Sequence, residues 1–175
     1  MIPRCLLLAA ALALCACQNM PEPYTPPVQR QPFENFRPYR VSRIVNMSDG
    51  DAEAHFVQDI TPGLEGNWRW CRRRPTIKIN MRVNDNVRFT IDFAIAEATF
   101  KETGPVTMSF FVNDRLLDKV HYPESGQKHF EKPVPAEWIE PGKEAILAAE
   151  IDKVYVAKAD QARLGFILTR IGLTQ

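Results

Sequence analysis

The sequence predicts an all-β protein, a jelly-roll-type antiparallel β-sandwich that follows an apolar leader and a proline-rich tether. Three observations predict it: apolar side chains recur at every second position through several segments, turn-forming residues separate those segments, and no long amphipathic run has helical spacing. The organisation expected is a leader at 1–16, a tether at 17–38 and one folded domain at 39–175. Loss of the first 16 of 175 residues leaves 159, enough for one well-buried core and too few for two.

The leader places one cation, Arg4, ahead of an uncharged apolar run from Cys5 to Ala16. A charged start followed by such a run is the pattern of an export signal. The run is about half the length of a stable transmembrane helix, so it reads as a signal and not as a permanent span. It closes on Leu14-Cys15-Ala16-Cys17, which resembles the bacterial lipobox. That resemblance implies cleavage before Cys17, acylation of Cys17 and attachment to a membrane through the lipid. Gln18, standing where an Asp would retain the protein in the inner membrane, implies the outer membrane, with its face left open. The alternative is an ordinary secretory signal, for which Ala9-Ala10-Ala11 offers a site only too early. With Cys5, Cys15 and Cys17 in the leader or at the anchor, Cys71 has no partner for an internal disulfide, and the core must hold the fold alone.

Pro21, Pro23, Pro26, Pro27, Pro32 and Pro38 punctuate the tether, which has almost no aliphatic residues. Such a segment favours extended polyproline-like conformations and cannot build a core. At ~3.1 Å per residue it gives reach from a membrane. Alternatively, the part holding Phe33, Phe36 and Tyr39 packs as an arm on the domain.

Strand periodicity then takes over. Trp68 and Trp70 mark a first strand, and Ile77, Ile79, Met81 and Val83 alternate with polar residues. Val87, Phe89, Ile91, Phe93 and Ile95 repeat the alternation, and Asn84-Asp85-Asn86 between the two runs predicts an antiparallel hairpin. After Gly104-Pro105 a strand runs through Val106, Met108, Phe110 and Val112, and Asn113-Asp114 turns it into Leu116 to Tyr122. Pro133 and Pro135 fit an edge or a loop, and Ala136 to Ile139 a short helical turn stopped by Pro141-Gly142. Ala145 to Ile151, Lys153 to Val156 and Leu164 to Leu173 supply the remaining strands, about eight in all.

Several features carry a family resemblance: Gly104-Pro105-Val106 leading into Phe110 to Asn113, Phe130 to Pro135, Trp138, Asp152, and the closing Leu164 to Leu168 with Arg170-Ile171. From Glu65 onward the chain resembles bacterial β-sandwich modules of galactose-binding-like or carbohydrate-binding type. The resemblance implies a sandwich and no particular ligand, because one fold hosts many functions.

Chemistry is sparse. None of Ser42, Ser48, Ser109 and Ser125 lies in a Gly-x-Ser-x-Gly elbow, and Cys71 on its strand reads as a structural cysteine. His55, His121 and His129, with Glu131, lack zinc spacing, while Asp49, Asp51 and Glu53 read as a solvated acidic turn before a calcium loop. Asp92, Glu97, Glu102, Asp118 and Glu137 could pair for glycoside hydrolysis, but spacing pairs none of them. No catalytic residue, metal or cofactor is therefore expected. A net charge of +1 argues against nucleic acid.

The most suggestive stretch is Asn67-Trp68-Arg69-Trp70-Cys71-Arg72-Arg73-Arg74. Trp68 and Trp70 share one face and Arg69 points to the other. Exposed indoles would stack on sugar rings, and Arg69, Arg72, Arg73 and Arg74 would fork onto carboxylate or phosphate, which suits an anionic glycan. The competing and favoured reading makes both tryptophans core anchors with the arginines a solvated strand end. The functions expected are a non-catalytic lipoprotein displaying a glycan-binding or envelope-binding module, or a structural lipoprotein contacting a protein partner in an envelope or secretion complex.

Overall fold

A computed structural model describes residues 43–175, which fall within the unit Tyr39–Gln175. The leader, Cys17 and the tether lie outside the described residues.

The elements in chain order are β1 (Ile44–Asn46), β2 (Phe56–Glu65), β3 (Trp68–Asn80), β4 (Arg88–Ile95), α1 (Glu97–Thr103), β5 (Val106–Val112), β6 (Arg115–Tyr122), β7 (Gly126–Pro133), β8 (Glu144–Ile151), β9 (Tyr155–Val156), β10 (Arg163–Leu164) and β11 (Phe166–Thr174). Short 3-10 turns occupy Ala52–His55 and Ala136–Trp138. Every ladder is antiparallel. The strands run β6-β5-β8-β3-β11-β4-β7, with β1 added to β11 and β2 to β3. The predicted all-β sandwich is what the chain forms: Phe89 and Phe93 of β4 and Phe130 of β7 meet Phe110 of β5, Phe93 also meets Tyr122 of β6 across the interior, and Phe166 of β11 packs on Phe93. At its centre Phe110 stacks on Phe130 with ring centroids 3.8 Å apart.

Alternation decides which side chains enter that core. Ile77, Ile79, Phe89, Ile91, Phe93, Met108, Phe110, Leu147, Phe166 and Leu168 are all buried. The β5–β6 hairpin forms as predicted, with Val112 opposite Arg115 and both turn residues in the left-handed region, Asn113 at φ 48° and Asp114 at φ 60°. Asn and Asp tolerate that conformation, as this two-residue turn requires. Pro133 ends β7, which lies at the edge of its sheet, and the short turn at Ala136–Trp138 stands where it was expected.

One predicted pairing is corrected. The segments at 77–83 and 87–95 do not form a hairpin: β3 pairs with β2, β8 and β11, whereas β4 pairs with β11 and β7. Met81 and Val87 are both buried, and β11 stands between β3 and β4 in the strand order. Alternation assigns an inward face to each strand and says nothing about its neighbour. The segment at 153–156 keeps only Tyr155–Val156 as strand, paired with β10. Helix α1 was not anticipated. Its seven residues are too short for a periodic signature; Thr99 is buried, Lys101 pairs with Glu97 at 2.9 Å, and Gly104 at φ 68° stops it.

Strand β3 changes partner along its length. Its first half, Arg69 to Cys71, pairs with β11, and its second, Thr76 to Asn80, with β8. Arg72 to Pro75 enter no ladder register, including that with β2. Pro75, which has no N–H to donate, suits that change of partner.

Arg69 locks the first half in place. It is 5% exposed, its Nε donates to the Met47 carbonyl at 3.1 Å, and Nη1 donates to Glu53 at 2.8 Å and to the Pro62 carbonyl. Its guanidinium also lies 5.3 Å from the Phe56 ring centroid. One side chain thus ties the segments around β1, the turn at Ala52–His55 and β2 to β3. Arg69→Ala should cost about 3 kcal/mol, since each stranded carbonyl forfeits ~1–3 kcal/mol, and should lower Tm by roughly 10 °C. Urea unfolding checks this, and a loss under about 0.5 kcal/mol would be that of an ordinary surface residue.

Candidate functional site

The stretch singled out in the sequence divides three ways. Arg69 faces the interior and is a structural residue, so its guanidinium is not available to a ligand. Trp68 and Trp70 face outward, which corrects the expectation that they anchor the core; both are half-buried and meet edge to face at 6.0 Å. Trp70 stands opposite Ile167 of β11, and its carbonyl accepts a hydrogen bond from the Thr61 hydroxyl at 2.9 Å. Together these make an apolar ridge on the outer face of the sandwich.

Arg72, Arg73 and Arg74 fall where β3 changes partner from β11 to β8. Freed from strict alternation, they splay. Arg72 and Arg73 line a pocket of about 200 Å³ with Asp59, Val154 and Arg163. Three guanidiniums against one carboxylate leave an excess of two positive charges there. Arg73 reaches Glu150 only at 3.4 Å and both are solvent-facing, so that pair contributes little. Arg74 turns away: its guanidinium lies 4.5 Å from the Phe111 ring centroid and donates to Asp114 at 2.9 Å.

Two backbone features build the pocket. Gly165 passes so close to β3 that a Cβ there would meet the Arg72 carbonyl at 2.2 Å, and its N–H donates to the Cys71 carbonyl at 2.8 Å. That approach brings Arg163 beside Arg72. Opposite, Asp59 adopts φ 61° and its carboxylate accepts the Arg74 N–H at 2.9 Å, which holds it at the pocket wall. Asp59, Val154 and Arg163 were missed in the sequence. Arg163 lies about ninety residues from Arg72, and no local spacing connects them; Gly165 beside an apolar strand was the nearest signal.

The remaining candidates hold structural posts. Cys71 is buried, and burial, with the Asp59 charge, pushes its thiol well up, as suits a structural cysteine. Asp49 accepts from the backbone and side chain of Asn46. His55 is buried, with Nδ1 2.9 Å from the Lys78 carbonyl, and His121 contacts Thr107. Asp118 pairs with Lys132 at 2.8 Å and Glu97 with Lys101. Glu102 and Glu137 are exposed. Among the described residues no three His, Cys, Asp or Glu side chains gather as a metal site, and no helix is long and apolar enough to cross a membrane.

On the outer face of β4, β7 and β11 a polar row continues from the tryptophan ridge. Asp92 accepts from His129 and from Arg170, and Glu131 pairs with Arg88. Partial burial raises Asp92, but the hydrogen bonds and charges of His129 and Arg170 outweigh it and hold the carboxyl below its ordinary value. Glu131 is held down chiefly by its hydrogen bond from Arg88.

No family model matches the sequence, and no curated protein does. Among solved structures the chain is similar to a family 35 carbohydrate binding module from an environmental isolate, with TM-score 0.46 and 11% identity over 75% of this chain and 92% of that one. It is similar also to CBM35 from Cellvibrio japonicus Abf62, with TM-score 0.42 and 11% identity over 75% of this chain and 93% of that one. A family GH115 4-O-methyl-α-glucuronidase with specificity for decorated arabinogalactans matches at TM-score 0.45 and 10% identity, over 78% of this chain and 18% of that one.

The lowered Asp92 pKa fixes a sign. Its contribution to stability is present above the unfolded value of ~3.9 and is lost as pH falls through the depressed folded value. Asp92→Asn should therefore flatten the decline in stability below about pH 4. Urea unfolding between pH 2 and pH 6 checks this; an unchanged slope in the variant would remove Asp92 from the acid transition.

Proposed function

We propose that this chain is an exported lipoprotein, acylated at Cys17 and anchored in the outer membrane, whose non-catalytic sandwich binds an anionic glycan of the envelope. The observation that carries the binding reading is the convergence of Arg72, Arg73 and Arg163 on one pocket beside the outward Trp68–Trp70 ridge. Guanidinium groups fork onto planar carboxylates and onto phosphate, each as two parallel hydrogen bonds. Indoles give a sugar ring a broad apolar contact at low entropic cost. Val154 closes the pocket with an apolar wall, and Asp59 offers an acceptor for a hydroxyl. The site combines a charge filter with a stacking surface and contains no paired general acid and base.

A second reading, a structural or assembly lipoprotein contacting a protein partner, draws on β2. That strand has one ladder partner and exposes Val57 (52%) and Leu64 (44%). Cross-linking in cells separates the two readings, because only the second requires one dominant protein adduct.

For the binding reading, the full chain should bind polygalacturonate in preference to neutral dextran, with affinity falling as ionic strength rises. Arg72→Ala and Arg163→Ala should each weaken binding by about tenfold or more, at ~1.5–3 kcal/mol per charged hydrogen bond. Equal retention of dextran, or variants that bind like the parent, would sink the reading. For the anchor, Cys17→Ser should abolish metabolic labelling with palmitate; a variant that still takes up label would place the lipid elsewhere.

A further inference from the structure

We propose that the sandwich carries a second sugar subsite at Trp138, which takes a neutral, hydroxyl-rich ring, so that the protein reads a heteropolymer of linked acidic and neutral units. The heteropolymer rests on the arginine-pocket reading above; the Trp138 subsite rests on its own geometry. A cavity of about 270 Å³ lies where the β5–β6 turn, the 3-10 turn at Ala136–Trp138 and the approach to β8 come together, and its lining includes Asn113, Arg115, Glu137, Trp138 and Glu140.

Its floor is rigid. The Asn113 side-chain amide donates to the Trp138 carbonyl at 2.6 Å, its Oδ1 accepts the Ile146 N–H at 2.8 Å, and its own backbone N–H donates to the Ile146 carbonyl at 2.8 Å. Three bonds thus fix the turn residue that holds Trp138 against β8. The indole remains half-exposed, and the Arg115 guanidinium stands 5.7 Å from its ring centroid. A preformed aromatic surface with a few convergent polar groups is the usual make-up of a small-ligand site.

The charge around this cavity differs from that of the first pocket. Glu137, Glu140 and Glu144 oppose Arg115 and Lys143 in its lining, and Lys78 beside Glu144 brings the balance to neutral. Glu140 pairs with Lys143, and Glu144 lies 3.6 Å from Lys78. Carboxylates accept hydrogen bonds from hydroxyls and repel another anion, so this cavity favours a neutral ring while the arginine pocket favours a charged one.

An unbroken run of side chains joins the two. Glu150 lies 3.4 Å from Arg73 and 4.0 Å from Arg74, and Arg74 lies 2.9 Å from Asp114, the chain neighbour of Asn113. One polymer engaging both cavities gains from the high effective concentration of its second unit.

The test uses the full chain and three probes: glucose, glucuronate, and a hyaluronan octasaccharide, in which uronate alternates with a neutral hexosamine. The Trp138 indole N–H resonance is identified by its loss in Trp138→Phe. Glucose and the octasaccharide should both shift it, and Trp138→Ala should weaken octasaccharide binding at least tenfold. Should that variant fail to fold, Glu137→Gln combined with Glu140→Gln should still weaken it about fivefold. An indole signal unmoved by glucose and octasaccharide while glucuronate binds overturns the second subsite and leaves the arginine pocket standing. Octasaccharide affinity equal to the parent's in the variants does the same. Glucuronate that fails to bind while Trp138 still responds sinks the arginine-pocket reading and with it the two-unit polymer.

Discussion

Strand β3 changes partner midway from β11 to β8, and the backbone groups at that change must be satisfied outside any ladder. The Cys71 carbonyl accepts from Gly165, the Arg74 N–H donates to the Asp59 carboxylate, and the Arg74 carbonyl accepts from the Thr76 hydroxyl. Burial without such partners would cost several kcal/mol, on the order of 1–3 kcal/mol for each group. The first two of these contacts seat the β10–β11 junction and Asp59 against β3. The pocket is thus a by-product of the way the sandwich closes: what completes the backbone also gathers Arg72, Arg73 and Arg163.

Placement of the cations around β3 follows from burial. Arg69 is inside, where carbonyls and Glu53 compensate its charge. Arg74 is spread over Phe111 and held by Asp114. Arg72 and Arg73, beyond the ladders, are exposed, and Arg73 reaches Glu150 only at 3.4 Å. A charge left in water next to a hollow costs the fold little and remains free for an anion. The polar row of Asp92, His129, Arg170, Glu131 and Arg88 behaves differently, since its members satisfy one another along the sheet face.

The proposed binding of an acidic and a neutral sugar unit needs two cavities of different charge on one scaffold. The first is lined by Arg72, Arg73 and Arg163 with Asp59 and Val154, and the second by Trp138 with glutamates and basic residues around it. The rigidity that a binding site needs comes from strands and short turns rather than from mobile loops, with Asn113 and Gly165 as the points where side-chain size or hydrogen bonding leaves no freedom.

The sequence by itself determined which side chains enter the core, because a period of two fixes facing along each strand: Ile77, Phe89, Phe110 and Leu168 were legible, as were the Asn113-Asp114 turn and the separation of Trp68 and Trp70 from Arg69. It did not determine which of those two faces looked inward on the first half of β3, since indoles and a well-compensated guanidinium can each be buried, and tertiary contacts from Met47, Glu53 and Pro62 decided for Arg69. Strand neighbours were likewise open, so 77–83 and 87–95, adjacent in the chain, do not pair with each other, and β11 lies between β3 and β4. Arg163 joined Arg72 only through the fold, because a pocket assembled from non-local segments leaves no spacing for a sequence to display.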